Sequence, residues 1–187
     1  MPSDDLAHSV LESIFKLFER EVEGESNRAG LRKMIYVALS KLAHIPAIHQ
    51  SIKEKISKLV SKSKSEIDKY LDRNNQIEEN TENFLSNIFE LVMNFNLLVS
   101  NRPEAPIFYD RIVKLCSNFV YPNRDTLGKD ILIQAARCVN SMYVWISDYI
   151  ISKQDMMVED NQALTDLTGL FINIIKFYKV VFEDRKN

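Results

Sequence analysis

The stretch Leu127–Ile151, LGKDILIQAARCVNSMYVWISDYII, constrains the fold more than any other part of the chain. Wound at about 100° per residue, its apolar side chains cover most of the circumference. Leu132, Ala136, Val139, Tyr143, Ile146 and Ile150 fill one sector, and Ile131, Ala135, Cys138 and Met142 widen it on one side. Ile133, Val144 and Ile151 widen it on the other, and Gln134, Arg137, Ser141 and Asp148 form the one continuous polar strip. A helix apolar on most sides is expected to be central, with neighbours on several faces.

The remaining sequence reads as further helices around it. Four glycines and five prolines in 187 residues, with no Asn-Gly or Asp-Gly pair, leave too few tight turns for an all-β fold. Apolar residues recur at three and four from Leu6 to Val22, from Leu31 to Leu42 and from Ile48 to Leu71. They do so again from Phe84 to Val99, from Ile107 to Phe119 and from Leu164 to Phe182. With 127–151 this predicts about seven helices in an all-α fold, either a multi-helix bundle or a short helical stack. Pro106 suits a first helical turn, and Asp125 is placed to cap the sixth helix. Residues 1–187 are expected to form one domain, and any sub-boundary would fall near 73–80.

The segment from Asn101 to Ile151 resembles a pair from HEAT or armadillo-type helical repeats. The likeness lies in a shorter helix opened by proline (APIFYDRIVKLCSNF), a Pro122–Asp125 turn, and a longer apolar helix with small central residues (QAARCVNS). It covers about a quarter of the chain, and no fixed period extends it. It implies a stacked-helix scaffold that offers a surface to another protein.

Reactive groups do not cluster. His8, His44 and His49 are scattered, and no Cys-x2-Cys, His-Glu-x2-His or Glu-x2-His spacing occurs, so no metal site is expected. Each glycine is isolated, which leaves no phosphate-cradling loop, and there is no Gly-x-Ser-x-Gly elbow. Cys116 and Cys138 lie in apolar helical contexts and read as reduced core residues, not a disulfide framework. The acids sit at helix starts and on polar faces, where capping and solvation explain them. No enzyme activity and no cofactor are expected. The absence of a signal-peptide pattern and of any long unbroken apolar run points to a cytoplasmic or nuclear location.

Net charge is −2, but it is unevenly placed. Residues 1–25 carry seven acids against two bases, and residues 28–69 carry ten bases against three acids. Lys55, Lys58, Lys62 and Lys69 fall within a sector of about 60° on the third helix, and Arg28, Arg32 and Lys33 begin the helix before it. Such a patch suits phosphates, anionic lipid or an acidic partner; the plainer reading is a solvated face. Trp145, at the edge of the polar strip, and the loop residues Met156 and Met157 are candidate interface anchors. The aromatic residues of the fourth and fifth helices read as core, or as the lining of an apolar pocket. The function expected is a non-enzymatic scaffold or adaptor that binds a partner helix or peptide in a surface groove. The alternative is an electrostatic binder of nucleic acid or anionic membrane through residues 28–69.

Overall fold

A computed structural model describes residues 4–22, 28–72, 77–100, 105–152 and 161–183. Among these, seven α-helices account for nearly all the chain and no strand occurs: α1 (Asp4–Glu21), α2 (Ala29–Leu42), α3 (Pro46–Asp72), α4 (Thr81–Ser100), α5 (Ala105–Leu115), α6 (Lys129–Ser152) and α7 (Asn161–Glu183). A π-helical turn, Cys116–Val120, extends α5. Pro46 opens α3, where its missing N–H is no loss. The Thr81 hydroxyl, at the start of α4, accepts the Glu78 N–H at 2.8 Å.

Helices pack on their next-but-one neighbours. α2 lies on α4 and α4 on α6, while α3 lies on α5 and α5 on α7. The two rows meet through α3 with α4 and α6 with α7, and α1 lies across α2 and α3 at one end. The result is a two-layer stack with α1 at one end and the α6–α7 pair at the other. Its core runs without interruption through Phe18, Tyr36, Ile52, Phe89, Phe95, Phe108, Phe119 and Val139, all essentially inaccessible to solvent. Residues 73–76 lie outside the described residues, yet α2 and α3 before them pack directly on α4 and α5 after them.

The α6 helix is enclosed less completely than its composition suggests. Ile131, Ala135, Cys138, Val139, Met142, Trp145 and Ile146 are buried, whereas Ile133, Tyr143 and Val144 are 42–51% exposed. As the last member of its layer it has α4 on one side, α7 and the π-turn beneath, and no helix of the described residues beyond it. The most surrounded helices are instead α4 and α5. The start of α6 also differs from expectation. Asp125 is exposed in the preceding turn, and the Gly128 N–H is held by a Glu82 carboxylate oxygen from α4 at 2.6 Å. A Cβ on Gly128 would come within 3.3 Å of that oxygen, so the absent side chain lets the carboxylate approach.

Near its end α4 leaves helical geometry at Phe95 (φ −119°, ψ 21°). Asn96 beside this kink donates from its amide to the Ser141 carbonyl of α6 at 3.3 Å and accepts the Tyr109 hydroxyl of α5. Trp145 packs edge-on against Tyr109, 5.0 Å between ring centroids. Three helices are thereby held by one polar junction within an apolar core, and an unmatched register would strand its donors. Tyr109→Phe is expected to destabilise the fold by about 1 kcal/mol, because the Asn96 oxygen loses its donor. Urea unfolding followed by the fluorescence of Trp145, the single tryptophan, measures it. Glu82→Ala is expected to lower stability by a similar amount, about 1 kcal/mol, by leaving the Gly128 amide unsatisfied.

Candidate functional site: an apolar face on the last helix pair

Several of the basic residues singled out in the sequence are engaged by carboxylates, two of them on a neighbouring helix. The Arg28 side chain turns back from the start of α2 to the Glu21 carboxylate, which is fully buried and also accepts from Arg20 at 2.7 Å. Arg32 is buried, 2% exposed, in the field of Glu21 and Glu90. Burial lowers its pKa from the ordinary guanidinium value, and the neighbouring carboxyl groups oppose that shift. Lys55 crosses to α1: its ammonium lies 2.9 Å from Glu19 and 5.4 Å from the Phe18 ring centroid. The same ammonium holds the Glu19 carboxyl below the usual carboxylate range. Lys69 pairs with Glu66 at 2.7 Å. Lys33, Lys58 and Lys62 stand exposed.

Trp145 is also not the surface anchor its position suggested. Only 8% exposed, it fills the space beside Tyr109. Met156 and Met157 lie outside the described residues. The sequence pattern missed how α6 is rotated: the polar strip does not mark the outward face, and Trp145 points inward while Val144 points out. In α7 the three–four recurrence from Leu164 to Phe182 runs through Ile175, yet Ile175 is 52% exposed and Phe177 is buried beside Leu167, Leu170 and Ile174, which are buried as the recurrence implies.

These rotations leave several large apolar side chains exposed on the last two helices. Ten large apolar side chains are exposed among the described residues, and five of them belong to α6 and α7: Ile133, Tyr143, Val144, Ile172 and Ile175. The two helices are joined across this face by the stacked rings of Tyr143 and Phe171, 6.0 Å between centroids. The other five are divided among α1, α2 and α5 and are no more than ordinary surface exposure.

At one end the face deepens into a cleft of about 290 Å³ between α6, α7 and the π-turn. Cys116, Val120, Leu132, Ala136, Phe177 and Val181 line it, with Tyr121 and Arg124 at its polar edge. The π-turn produces this shape. The Tyr121 N–H donates to the Cys116 carbonyl five residues back at 2.9 Å, so the helix widens by one residue before it ends. The following loop is fixed by Asn123, whose amide donates to the Phe119 carbonyl at 2.8 Å, and by the guanidinium of Arg124 over the Tyr121 ring at 4.8 Å. Nothing in the sequence marks a π-turn, since it arises from packing and not from residue preference.

The cleft offers shape and one cation, but little chemistry. Burial pushes the Cys116 thiol far above its ordinary pKa, and the same holds for Cys138. Both thiols stay protonated and poorly nucleophilic. Among the described residues no three His, Cys, Asp or Glu side chains converge as metal ligands, and no helix is long and apolar enough to cross a membrane. Comparison with protein-family models, with curated proteins and with solved structures finds no match.

The buried charges at the opposite end of the stack carry a pH dependence. Burial raises the Glu90 carboxyl above the usual range, while Lys33 and Arg32 pull it down in part. The folded state therefore holds the Glu90 proton more tightly than the unfolded chain does. Its contribution to stability declines as pH climbs from the ordinary carboxylate range through the raised value, then levels off. The stability of the native chain relative to Glu90→Gln is expected to fall across that window. Urea midpoints taken through a pH series test this, and a pH-independent difference would contradict it.

Proposed function

We propose that this chain is a non-enzymatic helical scaffold or adaptor, and that it binds a protein partner through the apolar face of α6 and α7. The observation that carries this reading is the concentration of exposed apolar side chains on the last helix pair, running into the cleft beneath the π-turn. Water-facing isoleucine, valine and tyrosine on one face are a standing cost that a partner removes, each buried side chain contributing roughly 1.5–3 kcal/mol. Grooves between helices of this kind receive a partner helix through anchors spaced three and four residues apart. The inert thiols and the lack of convergent titrating groups in the cleft favour a binding role over catalysis.

The electrostatic alternative, through residues 28–69, is weakened by the burial of Arg32 and the pairing of Lys55 with Glu19 of α1, while Arg28 and Lys69 are paired at the surface. Lys58 and Lys62 would have to carry it with Lys33.

Two sets of variants separate the readings. Ile133→Asp, Val144→Asp and Ile175→Asp alter exposed positions and are expected to leave stability within about 0.5 kcal/mol of the native chain. Each is expected to weaken partner binding at least tenfold, since about 1.4 kcal/mol is lost with one anchor. Lys58→Glu with Lys62→Glu is expected to leave binding unchanged. Quantitative co-precipitation of the full chain and its variants from cells reads both. The opposite pattern, with the lysine variants losing binding and the apolar ones retaining it, would replace the adaptor reading with the electrostatic one.

A further inference from the structure

We infer that the protein seated on α6 is a second copy of this chain, paired α6 against α6 and antiparallel across a two-fold axis. The inference rests on the adaptor reading and names its partner. Asp130, Ile133, Arg137, Asn140, Val144 and Ser147 follow one another at alternating intervals of three and four. At about 100° per residue they fall within an arc of about 100°. The first five are exposed and Ser147 is half-buried. Alternating steps of three and four are the spacing of the seam along which two helices interlock. As the last member of its layer, α6 has no helix of the described residues beyond it. A second copy therefore continues the layer from α6 to α6, as the next unit does in a helical stack.

The seam carries one acid and one base, so its net charge selects no partner. Its order does. With the two-fold axis at the height of the Cys138–Val139 peptide, Ile133 lies opposite Val144 of the second copy. Arg137 then lies opposite Asn140, and Asp130 opposite Ser147, and every pair occurs twice. Apolar side chains meet apolar ones, the guanidinium meets an amide oxygen, and the carboxylate meets a hydroxyl. A parallel pair would set Arg137 on Arg137 and Asp130 on Asp130, which like charge opposes. A slip of one heptad would set Ile133 against Arg137, or Val144 against Asn140. Polar residues within such a seam lower stability and fix its register. An anionic bilayer would be opposed by Asp130 and would gain nothing from this order.

A seam of about five turns is at the low end of specific interface size, so micromolar dissociation is expected. Sedimentation velocity of the full chain from about 1 to 200 μM tests the inference. The chain is expected to pass from monomer to dimer over that range. Ile133→Asp or Val144→Asp is expected to weaken the association at least about tenfold. Both positions are exposed, so neither variant disturbs the core. Cross-linking reads the register, because Cys116 and Cys138 are buried and leave introduced thiols to react alone. An equimolar mixture of Ile133→Cys and Val144→Cys chains is oxidised at a concentration where the dimer forms. Disulfide-linked dimers with one chain of each variant are expected to dominate, as intact mass shows.

A chain monomeric throughout, or a dimer that both aspartate variants leave intact, would overturn the inference. So would cross-links that join each variant mainly to itself, since these indicate parallel pairing. The adaptor reading fails separately. A monomeric chain that still co-precipitates a protein, and loses it in the Ile133, Val144 and Ile175 variants, would keep that reading and assign the face to a different occupant.

Discussion

The structure depends on packing between alternate helices. Each inner helix is gripped by the one two before it and the one two after it, so α4 is held between α2 and α6 and α5 between α3 and α7. The polar junction at Asn96 ties these rows where α4 kinks, because its amide reaches α6 while its oxygen receives the hydroxyl of α5. Apolar contacts alone would allow neighbouring helices to slide by a turn at modest cost. A buried amide with partners on two other helices penalises such a shift, since it would leave donors and acceptors unmatched.

A stack of this kind has two ends, and the sequence treats them differently. At the α1 end, charge closes the structure. Glu21 and Arg32 are buried together, Arg28 reaches back to Glu21, and Lys55 lays its stem over Phe15 and Phe18 before meeting Glu19. Glu19 and Glu21 of the acidic opening segment meet Lys55 and Arg28 of the basic segment after it, so part of the charge asymmetry along the chain is used within the fold. At the α6–α7 end no such closure exists among the described residues, and isoleucine, valine and tyrosine face water instead. Terminal units of helical stacks ordinarily show a polar outer face. Leu6 and Val10 of α1 are also exposed, but five of the ten exposed large apolar side chains lie on α6 and α7, which is why the functional reading falls there.

Helix number was legible in the sequence because the three–four recurrence of apolar residues acts within a turn or two. The start of α6 was not, because the Gly128 amide there is held by Glu82 of α4 and not by the nearby Asp125. Rotation about the helix axis was not legible wherever apolar residues occupied more than half of the circumference. In α2 the three–four recurrence from Leu31 to Leu42 runs through Met34, yet Met34 is 69% exposed and Tyr36, outside that recurrence, is buried, in edge contact with Phe18 and Phe95. The same ambiguity hid the inward turn of Trp145 and the outward turn of Ile175. When two faces are equally apolar, the choice between them is made by partners distant in sequence. Arg32 was read as part of a surface patch for a related reason: it is buried in the field of Glu21 and Glu90, which lie on α1 and α4. The HEAT-type likeness rests on the sequence of residues 101–151 alone, and no solved structure matches the chain.

The cleft joins local and long-range causes. One extra residue in the turn Cys116–Val120 widens the end of α5, and this displaces Tyr121 and Arg124 outward from the path a regular helix would take. Had the α-helix continued, Arg124 would not stand at the mouth of an apolar hollow. The distortion persists because its consequences are satisfied locally: the Tyr121 N–H has its carbonyl, the Phe119 carbonyl receives Asn123, and the guanidinium lies over an aromatic face. A strained backbone with unmet groups would relax, whereas this one is fully bonded. A cation is thereby held beside apolar walls at the end of α5.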